Sequence, residues 1–144
     1  MATRSTIALE YADGTVDQIY CHWDGYLSRN GMILMEHWQD PFKVQEMMYL
    51  GALSVLGPNL GEKHDFNDDL DRNDCTFYGR DRGETDIVAK RFASFQDYVE
   101  NHEYQDFEYI LRTDGQWYVC AYRVFPARSS DYLPLSVALE QQVA

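Results

Sequence analysis

The residues best spaced for chemistry are Asp65, Asn67, Asp69 and Asp71, oxygen ligands at alternate positions as in the first half of a calcium loop. The match ends there. Leu70 stands where such a loop needs Gly and Thr76 where it needs a bidentate Glu, so the segment reads as a solvated acidic loop. The four histidines, His22, His37, His64 and His102, form no HxH, HExxH or HxxxH pair, and a zinc site would have to be assembled from distant parts of the chain. Cys21, His22 and Asp24 offer a nucleophile beside a base, yet neighbours on a strand point to opposite faces. Nothing has the pattern of a P-loop, a dinucleotide fingerprint or a serine elbow. No catalytic residue, metal or cofactor is assigned, and an enzyme would need a pocket joining His22 with distant carboxylates.

Two charged clusters remain. Arg80, Asp81, Arg82 and Glu84 lie between Gly79 and Gly83. Guanidinium forks there either lock a turn through carboxylate pairs or grip an anion, which makes Arg80 and Arg82 a candidate phosphate or nucleotide loop. Asp97, Glu100, Glu103, Asp106 and Glu108 recur about every three residues, among Tyr98, Tyr104, Phe107 and Tyr109. They form either a soluble face above a core or a carboxylate array that imitates nucleic acid phosphates and meets a basic protein patch, with Tyr104 as an anchor.

The elements that must carry these residues follow from turn and cap signals. Ser5 to Tyr11 and Thr15 to Trp23 are strands joined at Asp13-Gly14. Along the second strand, Val16, Gln18, Tyr20 and His22 alternate with Asp17, Ile19, Cys21 and Trp23, so one face is apolar and the other mixed. Leu27, Gly31, Leu34 and Trp38 make a helical stripe, and Gly31 suggests that another backbone passes close. Asp40-Pro41 opens a second helix that buries Val44, Met47 and Met48 and ends at Gly51. Leu53 to Leu56 is a short apolar stretch, 58–74 a long loop, Cys75 to Tyr78 a strand, and 79–84 a charged turn. Ile87 to Phe92 fits either a strand or a loose helix. Ser94 caps a helix running to Glu100, a second hairpin turns at Thr113-Asp114-Gly115, and the tail from Pro126 ends in a docking helix near Leu135. The expected fold is a single α+β domain over 1–144. Its antiparallel sheet is built from N- and C-terminal hairpins, with helices packed on one face.

Composition bounds the class of function. The chain has 144 residues, with 24 Asp plus Glu against 12 Lys plus Arg, a net charge of −12, and 11 Tyr, 7 Phe and 3 Trp. Such a surface repels nucleic acid and attracts basic partners. The opening lacks an apolar leader and no window is apolar enough to span a bilayer, so the expectation is a cytoplasmic protein with no membrane partner. Cys21, Cys75 and Cys120, odd in number and without CxxC spacing, read as reduced thiols. Met32, Met35, Met47 and Met48 suit a core or an adaptable homodimer surface.

The stretch from Ser5 through Ala8-Leu-Glu-Tyr-Ala-Asp-Gly and Tyr20-Cys-His-Trp-Asp-Gly-Tyr-Leu27, with Thr76-Phe-Tyr-Gly-Arg-Asp-Arg-Gly-Glu84 and Tyr109-Ile-Leu-Arg-Thr-Asp-Gly-Gln-Trp-Tyr-Val119, resembles a group of small bacteriophage and prophage proteins. The resemblance implies a viral origin and carries over no activity and no catalytic residues. Joined to the acidic surface, it makes the leading expectation a non-enzymatic phage accessory protein that acts in the bacterial cell and inhibits a host nucleic-acid-binding defence component of the CRISPR or restriction type. The alternative from the residues is a small-ligand binder using the Arg80 and Arg82 loop.

Overall fold

The computed structural model describes residues 2–67, 73–102, 104–121 and 132–143. Strands β1 (Ser5–Glu10) and β2 (Val16–Cys21) form the first hairpin, in register from Ser5↔Cys21 to Glu10↔Val16. A π-helical turn, Leu27–Gly31, leads into α1 (Met32–His37), and α2 (Pro41–Leu50) follows. Asp40 caps α2 by accepting from the Phe42 amide at 2.9 Å, with Pro41 at the first helical position. The close neighbours of Gly31 are the side chains of Tyr109 and Leu135, at 3.4 and 3.5 Å from where a Cβ would sit, rather than another backbone.

Next come β3 (Leu53–Val55), β4 (Thr76–Phe77), α3 (Tyr78–Arg82), β5 (Lys90–Phe92), α4 (Phe95–Asn101), β6 (Phe107–Leu111), β7 (Trp117–Ala121), β8 (Leu133–Pro134) and α5 (Leu135–Val143). The charged turn expected over 79–84 is thus mostly a short helix. Asp81 Oδ2 accepts from the Phe77 amide at 2.8 Å and so holds the first turn to the strand before it.

The described strands form one sheet, β4-β3-β2-β1-β6-β7-β8, with β5 also paired to β2. The α+β class holds and most pairings are antiparallel. Two are parallel: β2 with β3, and β1 with β6 in register from Ser5↔Phe107 to Leu9↔Leu111. A parallel neighbour requires a crossover, and the chain between β2 and β3 supplies one as the π turn, α1 and α2.

Alternation sends Ile7, Leu9, Ile19, Cys21, Tyr109, Leu111, Trp117 and Val119 to one face, against Leu34, Trp38, Val44, Met47 and Leu135. Trp38 anchors this layer: its Nε1 donates to Gly57 O and its own carbonyl accepts from Trp117 Nε1, both at 2.9 Å. The helices are not confined to that face. On the other side Ala8, Val16, Ile110 and Cys120 pack under α4 through Tyr98 and Val99, joined by Phe92 and Tyr132. All three cysteines are buried and none is in a disulfide. Met47 and Met48 are core, whereas Met32 is exposed.

Candidate functional site

The second sheet face changes character along its length. Under α4 it is apolar. Beyond Ala8 it carries Thr6 on β1, Gln18 and Tyr20 on β2 and Glu108 on β6, brought side by side by the registers Thr6↔Tyr20, Ala8↔Gln18 and Thr6↔Glu108. A cleft of about 200 Å³ opens here, with Thr6, Gln18, Tyr20, Ile87, Lys90 and Gln105 among its walls. It exists because β2 pairs outward with β5 from Val16 to Gln18 and with β3 at Cys21, while the chain between turns away through Asp86, Ile87 and Val88. Asp86 takes a positive φ of 59° in this turn, an uncommon state for a residue with a Cβ. The signal for this site was present in the mixed face of β2.

Below the cleft lies a buried polar group. His102 Nε2 is 2.8 Å from Glu108 Oε2 with both side chains wholly shut from solvent, although the pair is not aligned as a hydrogen bond. Tyr132 donates to Glu108 Oε2 at 3.1 Å, and the Gln105 amide to Oε1 at 3.3 Å. The ring of His102 stacks on Tyr98, with centroids 4.5 Å apart, and its Nδ1 meets Tyr98 O. Burial first, then the charge of Glu108, pushes the Tyr98 hydroxyl well above its usual range.

This geometry divides the expected acidic array. Glu108 is 0% exposed and cannot meet a partner, because strand alternation turns it inward where the spacing of three suggested a common outer face. Asp97 is occupied at the start of α4, accepting from the Ala93 amide at 2.9 Å and the Asn101 side chain at 2.7 Å. Glu100 is exposed and accepts from Gln96. Asp106 is partly buried and Tyr104 is exposed, its ring edge-on to His102. Glu103 lies outside the described residues, as do Asp69, Leu70 and Asp71 of the acidic loop.

In the Arg80 and Arg82 loop the two arginines differ. Arg80 spends its fork internally: Nη1 donates to Leu60 O and Gly61 O, Nη2 to Cys75 O, and Nε and Nη2 to Asp81. A guanidinium has five N–H donors, so none is left to hold a phosphate. Burial raises the Asp81 pKa, but the Arg80 fork and the Phe77 and His64 amides outweigh it and leave the carboxyl below its ordinary value. Arg82 is half-exposed, paired with Glu84 at 2.9 Å and stacked over Phe66 and Tyr78.

No family model, curated protein or solved structure matches the chain.

The histidines stay apart. His22 Nδ1 is 2.7 Å from the Tyr20 hydroxyl, while Cys21 faces the opposite layer. His64 reaches Glu62 O and Thr76 Oγ1, and His37 stands beside Glu36. Among the described residues no group of three or more His, Cys, Asp or Glu is placed to hold a metal. No described helix is long and apolar enough to cross a membrane.

Among the described residues the two most exposed aromatic side chains lie on α2. Tyr49 is 87% exposed and Phe42 75%, two turns apart on the face opposite Val44, Met47 and Met48. Glu46 lies between them, and a shallow groove of about 610 Å³ runs beside them toward Leu60 and Glu62. A second hollow, about 310 Å³, reaches from Phe42 to Tyr11 and Leu111. The lysine of this helix is turned back, Lys43 Nζ donating to His37 O and Pro58 O at 2.7 Å and sitting 4.2 Å over the Trp38 ring. The outward face of α2 therefore combines aromatic anchors with negative charge.

Proposed function

We propose that the protein acts by binding a basic protein surface and that the outer face of α2 is its point of attachment. The observation that supports this is the pair Phe42 and Tyr49, held out in solvent on either side of Glu46 on a chain of net charge −12. Apolar surface left exposed on a rigid helix is useful when a partner buries it, and aromatic residues flanking a charge are the usual anchors of such interfaces. The remaining acids steer the approach of a basic partner and add less to affinity than to rate. On the phage-protein resemblance, the partner is a host nucleic-acid-binding defence component whose groove the acids occupy in place of phosphate. Glu108 is withdrawn from the contact by its burial, and Glu100 and Tyr104 remain exposed on a surface separate from α2.

The test is affinity capture from a bacterial lysate with wild-type protein, a Phe42→Ala/Tyr49→Ala variant, and a Glu100→Lys variant. One protein should be retained by wild type, released by salt and lost from the α2 variant, and its nucleic acid binding should fall when purified protein is added. Retention that is indifferent to the α2 substitutions would refute the assignment.

A further inference from the structure

The cleft on the second sheet face is distinct from the α2 surface. Gln18 and Thr6, 5% and 3% exposed, line the cleft; Thr6 Oγ1 is turned to the Tyr98 hydroxyl, whereas Gln18 Nε2 has no hydrogen-bond partner in the fold. A buried donor left unmet is costly, and a sequence keeps one where something else uses it. The last torsion of a glutamine side chain is broad, so a small rotation brings its amide to the opening. That amide presents a donor and an acceptor side by side, the complement of the edge of a nucleobase or another cyclic amide. The walls include Tyr20, its hydroxyl already engaged by His22, with Ile87 and Val88, surfaces that suit a flat ring. A space of about 200 Å³ falls below the roughly 300–1,000 Å³ of pockets for larger ligands, which restricts the occupant to a single ring system. Lys90 and Asp86 in the lining offset each other, and the net charge of −12 over the chain disfavours a phosphate on the ligand.

We propose that this cleft binds an uncharged planar heterocycle of the nucleobase class, read at its hydrogen-bonding edge by Gln18 and stacked beside Tyr20. The ligand is a free base or nucleoside, since a nucleotide adds charge that the surface repels.

The experiment is a titration of the purified protein with adenosine, cytidine, uridine and nicotinamide, followed by amide chemical shifts and by melting temperature, with the nucleoside monophosphates as charged counterparts. At least one probe should shift residues around Thr6, Gln18 and Tyr20 with a Kd on the order of 0.1–1 mM, and its monophosphate should bind more weakly. Gln18→Met should weaken binding about tenfold or more while melting no lower than wild type, because it removes an unmet donor at little change in volume. The proposal is overturned if no probe shifts the cleft at roughly 10 mM, a concentration well above that range, if Gln18→Met binds as wild type does, or if Gln18→Met melts lower, which would mean that the fold itself uses the amide.

Discussion

Glu108 has no exposed surface, and its oxygens accept from the Tyr132 hydroxyl and the Gln105 amide. Removing a buried acceptor leaves its donors unmet, at about 1–3 kcal/mol for each. Glu108→Ala should therefore lower unfolding free energy in urea by at least about 2 kcal/mol, whereas Glu100→Ala, on the exposed side of α4, should change it by less than about 0.5 kcal/mol. Equal effects would show that these buried contacts contribute nothing. The contrast also explains why these acids looked alike in the sequence. A repeat of three has meaning only while the chain is helical, and α4 ends at Asn101. Beyond it β6 begins at Phe107, where alternate residues change sides, and only the pairing of Thr6 with Glu108 decides which side is covered. Arg80 was obscured in a similar way: its acceptors are the carbonyls of Leu60, Gly61 and Cys75, set by tertiary position and not by side-chain type.

Elements announced by their own ends were legible. Asp40-Pro41, Ser94, Asp13-Gly14 and Asp114-Gly115 act within a few residues, and each appears as a cap or turn where it was expected, Ser94 Oγ accepting from the Asp97 amide at 3.0 Å. The docking helix after Pro134 also appears, with Leu135 and Ala138 buried. Elements defined by a neighbour were less so. Cys75 to Tyr78 reads as a strand and contains β4, but Ile87 to Phe92 fits strand and helix alike, because β5 is only three residues long and is a strand only where β2 lies alongside. The parallel partnerships of β2 and β1 likewise leave no local mark. Gly51 couples the two kinds. It ends α2 at φ 85°, and a Cβ there would stand 2.1 Å from Ile87 O, on the segment that walls the cleft. Ala52 N donates to that same carbonyl at 2.9 Å. Gly51→Ala should cost at least about 2 kcal/mol and increase amide exchange across 86–89, since both the backbone state and the close approach are lost. Unchanged exchange there would separate the helix end from the cleft wall.

For the molecule as a whole, the acid excess and the paired carboxylates pull stability in opposite directions as pH changes. At neutral pH a net charge of −12 opposes compaction, so added salt should raise the melting temperature. Protonation relieves that repulsion as pH falls toward the sequence pI of about 4.5. Asp17 acts the other way. Burial raises its pKa, but the Arg91 fork at 2.9 Å and the Tyr11 hydroxyl at 2.7 Å outweigh it and leave it lowered. A carboxyl held below its unfolded value of 3.8 contributes stability above that pH and loses it as pH falls through the folded value. Stability should thus peak near pH 5, and the deficit of Asp17→Asn should be constant above about pH 5 and shrink below about pH 4. A deficit that grew in acid would reverse the sign of the argument. The parallel pairing of β1 with β6 has a consequence in time rather than energy. Glu10 and Arg112, whose ion pair closes that seam at 3.0 Å, are 102 residues apart in the chain. On a ribosome adding about 5–20 residues per second, the inner edge of the first hairpin waits roughly 5–20 s for its partner strand to be made. Through that interval Ser5–Glu10 is an open strand edge carrying Ile7, Ala8 and Leu9, and the newborn chain is most prone to aggregate then, before its central seam can close.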